Sequence, residues 1–358
     1  VNIGKGKITR PLHRTAYGNS TSQLSGTRIQ NRPDTVLCIM TTALVWFRRD
    51  LRITDNPALH NAAARHQTVI PVYVDAPDEE SPWAPGAASR WWLHHSLTAL
   101  DQQLRALGAP LILRRGASAN ELLTLAREVG ASAIYWNRRY EPATIARDTA
   151  VKATLREHGI DAHSCNGALL IEPWELQTKT GGPYKVFTPF WRSADARRRE
   201  LQACGRAPLP APASLRALTP APRSDALAQW QLLPQIPWDS GFSTSWSPGE
   251  TGAAQLLDRF CEEAAAGYRA LRDFPAEPST SRLSPHLQFG EMSPLQICER
   301  IDRELATTDQ PGFTAGAEHF IREIGWREFS YHLLYHFPQT PELPLNPRFA
   351  DFPWRSPA

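Results

Sequence analysis

From Met40 to about Asn166, short β-branched or apolar runs alternate with amphipathic stretches, the order of strand and helix that builds a parallel sheet. Candidate strands are Ala43 to Phe47, Val69 to Val74, Leu111 to Leu113, Ala133 to Trp136 and Ala162 to Cys165. Between the second and third of these, Leu93, Leu97, Leu100, Leu104 and Leu107 recur at steps of four and three, one apolar face of a helix. Asp55 or Asn56 ahead of Pro57 predicts another helix start, a cap oxygen followed by a residue with no amide to satisfy. The pattern predicts a doubly wound, Rossmann-like α/β domain with a parallel sheet.

After the first strand the chain runs into FRRDLRITDN, so the glycine-rich dinucleotide fingerprint is missing. Prolines crowd the stretch from Cys204 to Pro248, which predicts an extended connection. Helical periodicity resumes at Glu250 and persists to Phe337, and no internal repeat is visible. The expected organisation is a leader over 1–39, an α/β domain over 40–170, a Pro-rich linker over 171–249 and an all-helical region over 250–358.

With 358 residues and ordinary apolar content, the chain can bury two full cores. Its longest apolar stretch, around Val36 to Phe47, falls well short of the roughly 20 residues of a membrane-spanning helix, so no membrane is expected as a partner. Five scattered cysteines without a CxxC pair suggest neither zinc nor a disulfide framework, and a reducing cytoplasm is the expected location. The net charge of +3 is misleading. Six basic residues and one acidic residue fall within 1–39, leaving the remainder slightly acidic, so any nucleic-acid site must be a local patch. That leader is rich in Asn, Thr, Ser and Gly, and it reads as sequence upstream of a natural start at Met40 in preference to an organellar transit peptide.

Two segments carry candidate chemistry. In TSRLSPHLQFGEMSP, Thr280, Ser281, Arg282 and Ser284 gather hydroxyls, a cation and backbone amides ahead of helical sequence, a set that suits a diphosphate. A capped helix start at Ser284 before Pro285 is the plainer reading of the same residues. In IREIGWREF, Glu323, Trp326 and Arg327 are three and four residues apart and share a helical face. An acid, a flat ring and a cation together suit an extruded base; a core tryptophan flanked by two solvated charges is the plainer reading.

The chain resembles the DNA photolyase and cryptochrome flavoproteins, and within them the bacterial enzymes that repair cyclobutane pyrimidine dimers. The resemblance rests on LVWFRRDLRITDNPAL (44–59), NRRYEPATIARD (137–148), YKVFTPFWR (184–192), YRALRDFPAEPSTSRLSPHLQFGEMSP (268–294) and IGWREF (324–329), in that order. It implies an α/β antenna domain, a long linker and an all-α domain that holds FAD. It further implies that Tyr268, Thr280, Ser281, Arg282, Leu283 and Ser284 contact FAD. Glu323 and Trp326 then act on the lesion in catalysis, and Arg272, Glu323, Trp326 and Arg327 face damaged DNA.

Some relatives hold a folate-type antenna through an Asn-Glu pair; Ala143 and Thr144 stand at those places here, which disfavours a methenyltetrahydrofolate and leaves a deazaflavin, another chromophore or none. Phe320 replaces a tryptophan found near the flavin in some relatives. Relatives also continue past the position of Ala358 with further FAD-binding helices, so the helical domain is expected to be only partly present, with the chain inactive alone. The implied activity is light-dependent dimer repair by a monomer. The alternatives are a cryptochrome-type blue-light photoreceptor and a non-catalytic nucleotide-binding protein.

The remaining motifs read as structural. Arg48, Arg49, Asp50 and Arg52 are expected to shape a strand end, and Arg197, Arg198 and Arg199 to form a solvated helix face. His332 and His336 have a metal-like spacing without a third ligand, so no metal is expected.

Overall fold

A computed structural model of the protein describes residues 41–80, 83–353 and 355; the leader over 1–39 lies outside the described residues. The strands are β1 (Thr42–Phe47), β2 (Thr68–Asp75), β3 (Ile112–Arg115), β4 (Ala131–Asn137) and β5 (Asp161–Cys165). They pair in parallel in the order β3-β2-β1-β4-β5. Helices α1 (Pro57–Arg65), α2 (Ala87–Leu107), α3 (Ser118–Val129) and α4 (Pro142–Glu157) supply the crossovers. All six residues of β1 are buried, because both sheet faces are covered. Ala43, Val45 and Phe47 pack with the α2 leucines Leu93, Leu97, Leu100 and Leu104. Leu44 and Trp46 meet Leu122 and Leu125 of α3 on the other face.

Asn56 is the cap of α1: its Oδ1 accepts from the Leu59 amide at 3.1 Å, ahead of Pro57. Asp55 takes a different part. It sits at φ 50°, and its carboxylate accepts from the Leu209 amide at 3.1 Å and from the Ser293 hydroxyl. Within the RRDLR segment, Arg48 and Arg52 are turned into the fold. Arg48 is buried in an ion pair with Asp148 at 2.7 Å, and burial lowers its pKa. Arg52 donates to the carbonyls of Gly290 at 2.9 Å and Gly167 at 2.7 Å. Gly290 must be glycine, with φ 64° and a Cβ that would sit 2.1 Å from the Arg49 carbonyl oxygen.

Beyond the sheet come α5 (Phe187–Ala203), a connection with little regular structure apart from α6 (Phe242–Ser245), then α7 (Glu250–Arg259) and α8 (Tyr268–Leu271). α9 (Ser284–Phe289), α10 (Pro294–Leu305) and α11 (Phe313–His336) follow. α5, α7, α10 and α11 share a core of Phe190, Leu257, Ile297, Ile301, Phe320 and Ile324. Arg198 of α5 belongs to this packing and not to a solvated face: it is 4% exposed and pairs with Asp302 of α10 at 2.6 Å. No helix among the described residues is long and apolar enough to cross a membrane.

Candidate functional site

The α11 surface around Glu323 is built by α8. Arg272, which ends α8, forms an ion pair with Glu323 and lies 5.5 Å over the Tyr268 ring. The bond to Glu323 raises the pKa of Arg272. Tyr268 is buried between Phe260 and Phe320, and its own pKa is raised by burial. His319 stands one turn before Glu323, 4.0 Å from its carboxylate.

Trp326 is next on this face. It is 45% exposed, yet one side of its ring lies flat on Phe187, with centroids 3.7 Å apart and planes 7° apart. Phe187 is in turn parallel to Trp191, at 6.4 Å and 4°. Arg322, one turn before Trp326, is 5.5 Å over the Phe187 ring. Gly325 permits this close approach of the helices, since a Cβ there would stand 2.3 Å from the Trp191 ring.

Arg327 departs from the expected trio. Its guanidinium donates to the Ala168 carbonyl at 2.9 Å and covers the Tyr331 ring at 4.9 Å, so it is turned toward the loop after β5. The next residues along α11 grip the same stretch. Glu328 accepts from the amides of Leu170 at 2.8 Å and Ile171 at 3.2 Å. His332 Nε2 accepts from the Tyr184 amide at 3.0 Å, and His336 Nε2 lies 3.0 Å from the Pro173 carbonyl. Burial pushes Glu328 up to about 7 and His332 down to about 4. The metal-like histidine spacing therefore serves to seat residues 168–184 against α11.

In the 280–284 turn, Thr280, Arg282 and Ser284 are exposed and Leu283 is buried in the helical core. Ser279 anchors the turn through a bond to the Leu271 carbonyl at 2.9 Å. Arg282 lies at φ 56°, 4.1 Å over Trp246, and donates to the Ser245 carbonyl at 3.0 Å. Three hydroxyls and a guanidinium on one accessible turn are a donor set that fits a diphosphate.

Two cavities open beside the carboxyl ends of the strands, where open α/β sheets hold ligands. One, of about 460 Å³, is lined by Trp46, Tyr73, Arg90, Arg115 and Trp230. The other, of about 570 Å³, lies between the start of α4, including Ala143 and Thr144, and Leu334 and Pro338 near the end of α11. Glu141 also lines it. Burial alone would raise its pKa, but Arg139 holds the carboxyl down at about 2. Thr144 is buried and spends its hydroxyl on the Glu141 carbonyl at 2.8 Å.

Residues 43–213 match the sequence profile of DNA photolyase. A deoxyribodipyrimidine photo-lyase of Agrobacterium fabrum is 45% identical over 316 residues, which are 87% of this chain and 63% of that protein. The crystal structure of a bacterial class III photolyase from Agrobacterium tumefaciens superposes with a TM-score of 0.81 at 42% identity, covering 91% of this chain and 65% of that one. The chain belongs to the DNA photolyase and cryptochrome family. Cryptochrome-2 of Arabidopsis thaliana is 36% identical, matched over 87% of this chain and 51% of its own length. The photolyase-type chain thus spans less than two thirds of each of these relatives. The helical spacing already places Glu323 and Trp326 on one face, and the fold brings Arg272 of the α8 end to that carboxylate. The same spacing gave Phe187, Trp191 and Gly325 no part in the wall, although FTPFW does place two aromatic residues four apart on one helical face.

Proposed function

We propose that this chain is a deoxyribodipyrimidine photo-lyase, in which α11 receives a cyclobutane pyrimidine dimer flipped out of DNA. The observation that carries the reading is Trp326: an exposed indole held flat on Phe187, on the same helix as the Glu323 carboxylate paired with Arg272. A damaged pyrimidine pair stacks poorly, so extruding it costs less than extruding a normal base. Trp326 offers it one free stacking face, worth about 1–3 kcal/mol. Glu323 then accepts a hydrogen bond from the pyrimidine edge and stabilises charge on the lesion. Arg272, paired with that carboxylate, serves a phosphate and so sets register without reading sequence. Arg327 is held by the Ala168 carbonyl and serves no DNA phosphate in this arrangement.

Tyr268 and the turn of Thr280, Ser281, Arg282, Leu283 and Ser284 would hold FAD, with the hydroxyls and Arg282 on its diphosphate. When bound, reduced FAD would supply the light-driven electron that opens the cyclobutane ring. The protein's own contribution is placement and exclusion of water around the lesion. A second, light-harvesting chromophore would find room in the strand-end cavities; beside Ala143 and Thr144 the Glu141 carboxylate is already held by Arg139.

The test is to continue the chain over the part of its relatives' length that it does not span, load that protein with FAD, reduce it, and follow dimers in ultraviolet-irradiated DNA under blue light and in the dark. Loss of dimers only in the light is the expected result. Flavin binding with no light-dependent loss would replace this reading with a cryptochrome-type photoreceptor, to which the 36% identity with cryptochrome-2 points.

A further inference from the structure

Trp326 does not stand alone on the surface. Three rings from two helices lie nearly parallel: Trp191 and Phe187 from α5, four residues apart on one face, and Trp326 from α11. Trp191, partly buried, presses on bare helix backbone at Gly325, where any Cβ would meet its ring at 2.3 Å. Neighbouring residues of α11 therefore receive the two ends of the stack. Gly325 sets how deeply α5 can settle, and Trp326 closes on the ring that α5 presents.

An indole at 45% exposure would ordinarily sample several rotamers, and each ordered side chain lost to binding has an entropic cost. Phe187 is 5% exposed, belongs to the helical core and cannot follow such motion. With centroids 3.7 Å apart and planes 7° apart, one face of the Trp326 ring is covered by Phe187 while the residue stays 45% exposed. The Arg322 guanidinium, 5.5 Å from the Phe187 ring centre, flanks the same platform.

We infer that Phe187 is a positioning residue for the lesion-binding wall: it holds the Trp326 indole as a preformed stacking face, with Trp191 on Gly325 as its backing. The inference rests on the proposed role of Trp326 in receiving a flipped base. Phe187 itself touches no DNA; it acts through Trp326. Its aromatic plane is what matters, so an aliphatic side chain of similar size would fill the core without orienting the indole.

The test combines two readouts on the full chain labelled with 5-fluorotryptophan. The Trp326 fluorine resonance is assigned by its loss in Trp326→Phe. In Phe187→Leu that resonance is expected to move and broaden, and affinity for a dimer-containing oligonucleotide to fall by roughly 3- to 10-fold, the range of an aromatic pair. Phe187→Tyr keeps a ring and should restore both. Adding Phe187→Leu to Trp326→Ala should cost no further affinity, since the residue acts through the indole.

An unchanged Trp326 resonance in Phe187→Leu would overturn the inference, as would full additivity with Trp326→Ala. A resonance that moves while affinity stays intact, in a protein where Trp326→Ala does lose affinity, would overturn it as well. Should Trp326→Ala bind damaged and undamaged DNA like the parent, the repair reading fails; the fluorine spectra, which need no DNA, still decide whether Phe187 orders the indole.

Discussion

His332 Nε2 accepts a hydrogen bond from the backbone amide of Tyr184 at 3.0 Å, so the imidazole of α11 must be neutral at that nitrogen for the segment leading into α5 to stay seated. Burial, assisted by the neighbouring His336, brings its pKa from the ordinary 6.5 to about 4. Between these values the unfolded chain binds a proton that the folded chain refuses. This part of the stability is therefore complete above pH 6.5 and is lost as pH falls toward 4. Urea titrations at pH 7 and pH 5 should show a larger stability loss in the parent than in His332→Gln, whose amide oxygen can accept the same bond at either pH. Equal losses would sink the assignment.

Glu328, one turn earlier, gives the opposite sign. Burial raises its pKa from 4.5 to about 7, outweighing Arg327 and the two amide donors from Ile171 and Leu170. Here the folded state holds a proton that the unfolded state has released. The associated stability is present below pH 4.5 and disappears as pH rises through 7. Glu328→Gln keeps an acceptor for the amides and cannot ionise. The parent should therefore lose stability relative to Glu328→Gln between pH 5 and pH 8, read from paired denaturation curves.

The sheet was legible because a strand buried on both faces must be near-continuously apolar, as β1 is from Ala43 to Phe47, and because a helix against it must repeat at three and four, as Leu93 to Leu104 do. Glu323 and Trp326 were legible for the same reason, helical spacing. Arg327 was not. Whether it joined them depended on the Ala168 carbonyl, 159 positions away, and no local pattern carries that contact. Arg198 failed in the same way: three arginines in a row look solvated until Asp302, 104 positions on, is brought to the middle one. The Phe187–Trp326 stack joins two helices far apart in the chain, so periodicity within either helix shows only half of it.

Gly325→Ala should be costly despite alanine's better helix propensity. The added methyl would stand 2.3 Å from the Trp191 ring, so α5 must move away from α11 or the indole must leave its rotamer. Overpacking of this kind costs about 1–3 kcal/mol, more than the roughly 1 kcal/mol that alanine gains over glycine in a helix. A net fall in thermal midpoint is expected. A rise would mean that α5 yields freely and that Gly325 sets no distance.

Trp326 and Arg272 should separate when binding is measured on two DNAs and over a range of salt. Trp326→Ala removes a stacking face, which only an extruded base can use; its loss should weaken dimer-containing DNA by about 1–3 kcal/mol and undamaged duplex hardly at all. Arg272→Ala removes a cation from the edge of the Glu323 site, where a phosphate contact would be blind to the lesion. Both DNAs should then weaken together, and the slope of log K against log salt should become shallower by about 1. One complication follows from the ion pair: without Arg272, Glu323 is left as an uncompensated anion facing DNA, and this adds to the loss on both DNAs. Arg272→Ala with Glu323→Gln removes that repulsion, so the double variant should recover part of the undamaged-DNA affinity while the salt slope stays shallow. If Trp326→Ala weakens both DNAs equally, Trp326 is a packing residue; if Arg272→Ala leaves the salt slope unchanged, its charge serves only to hold Glu323.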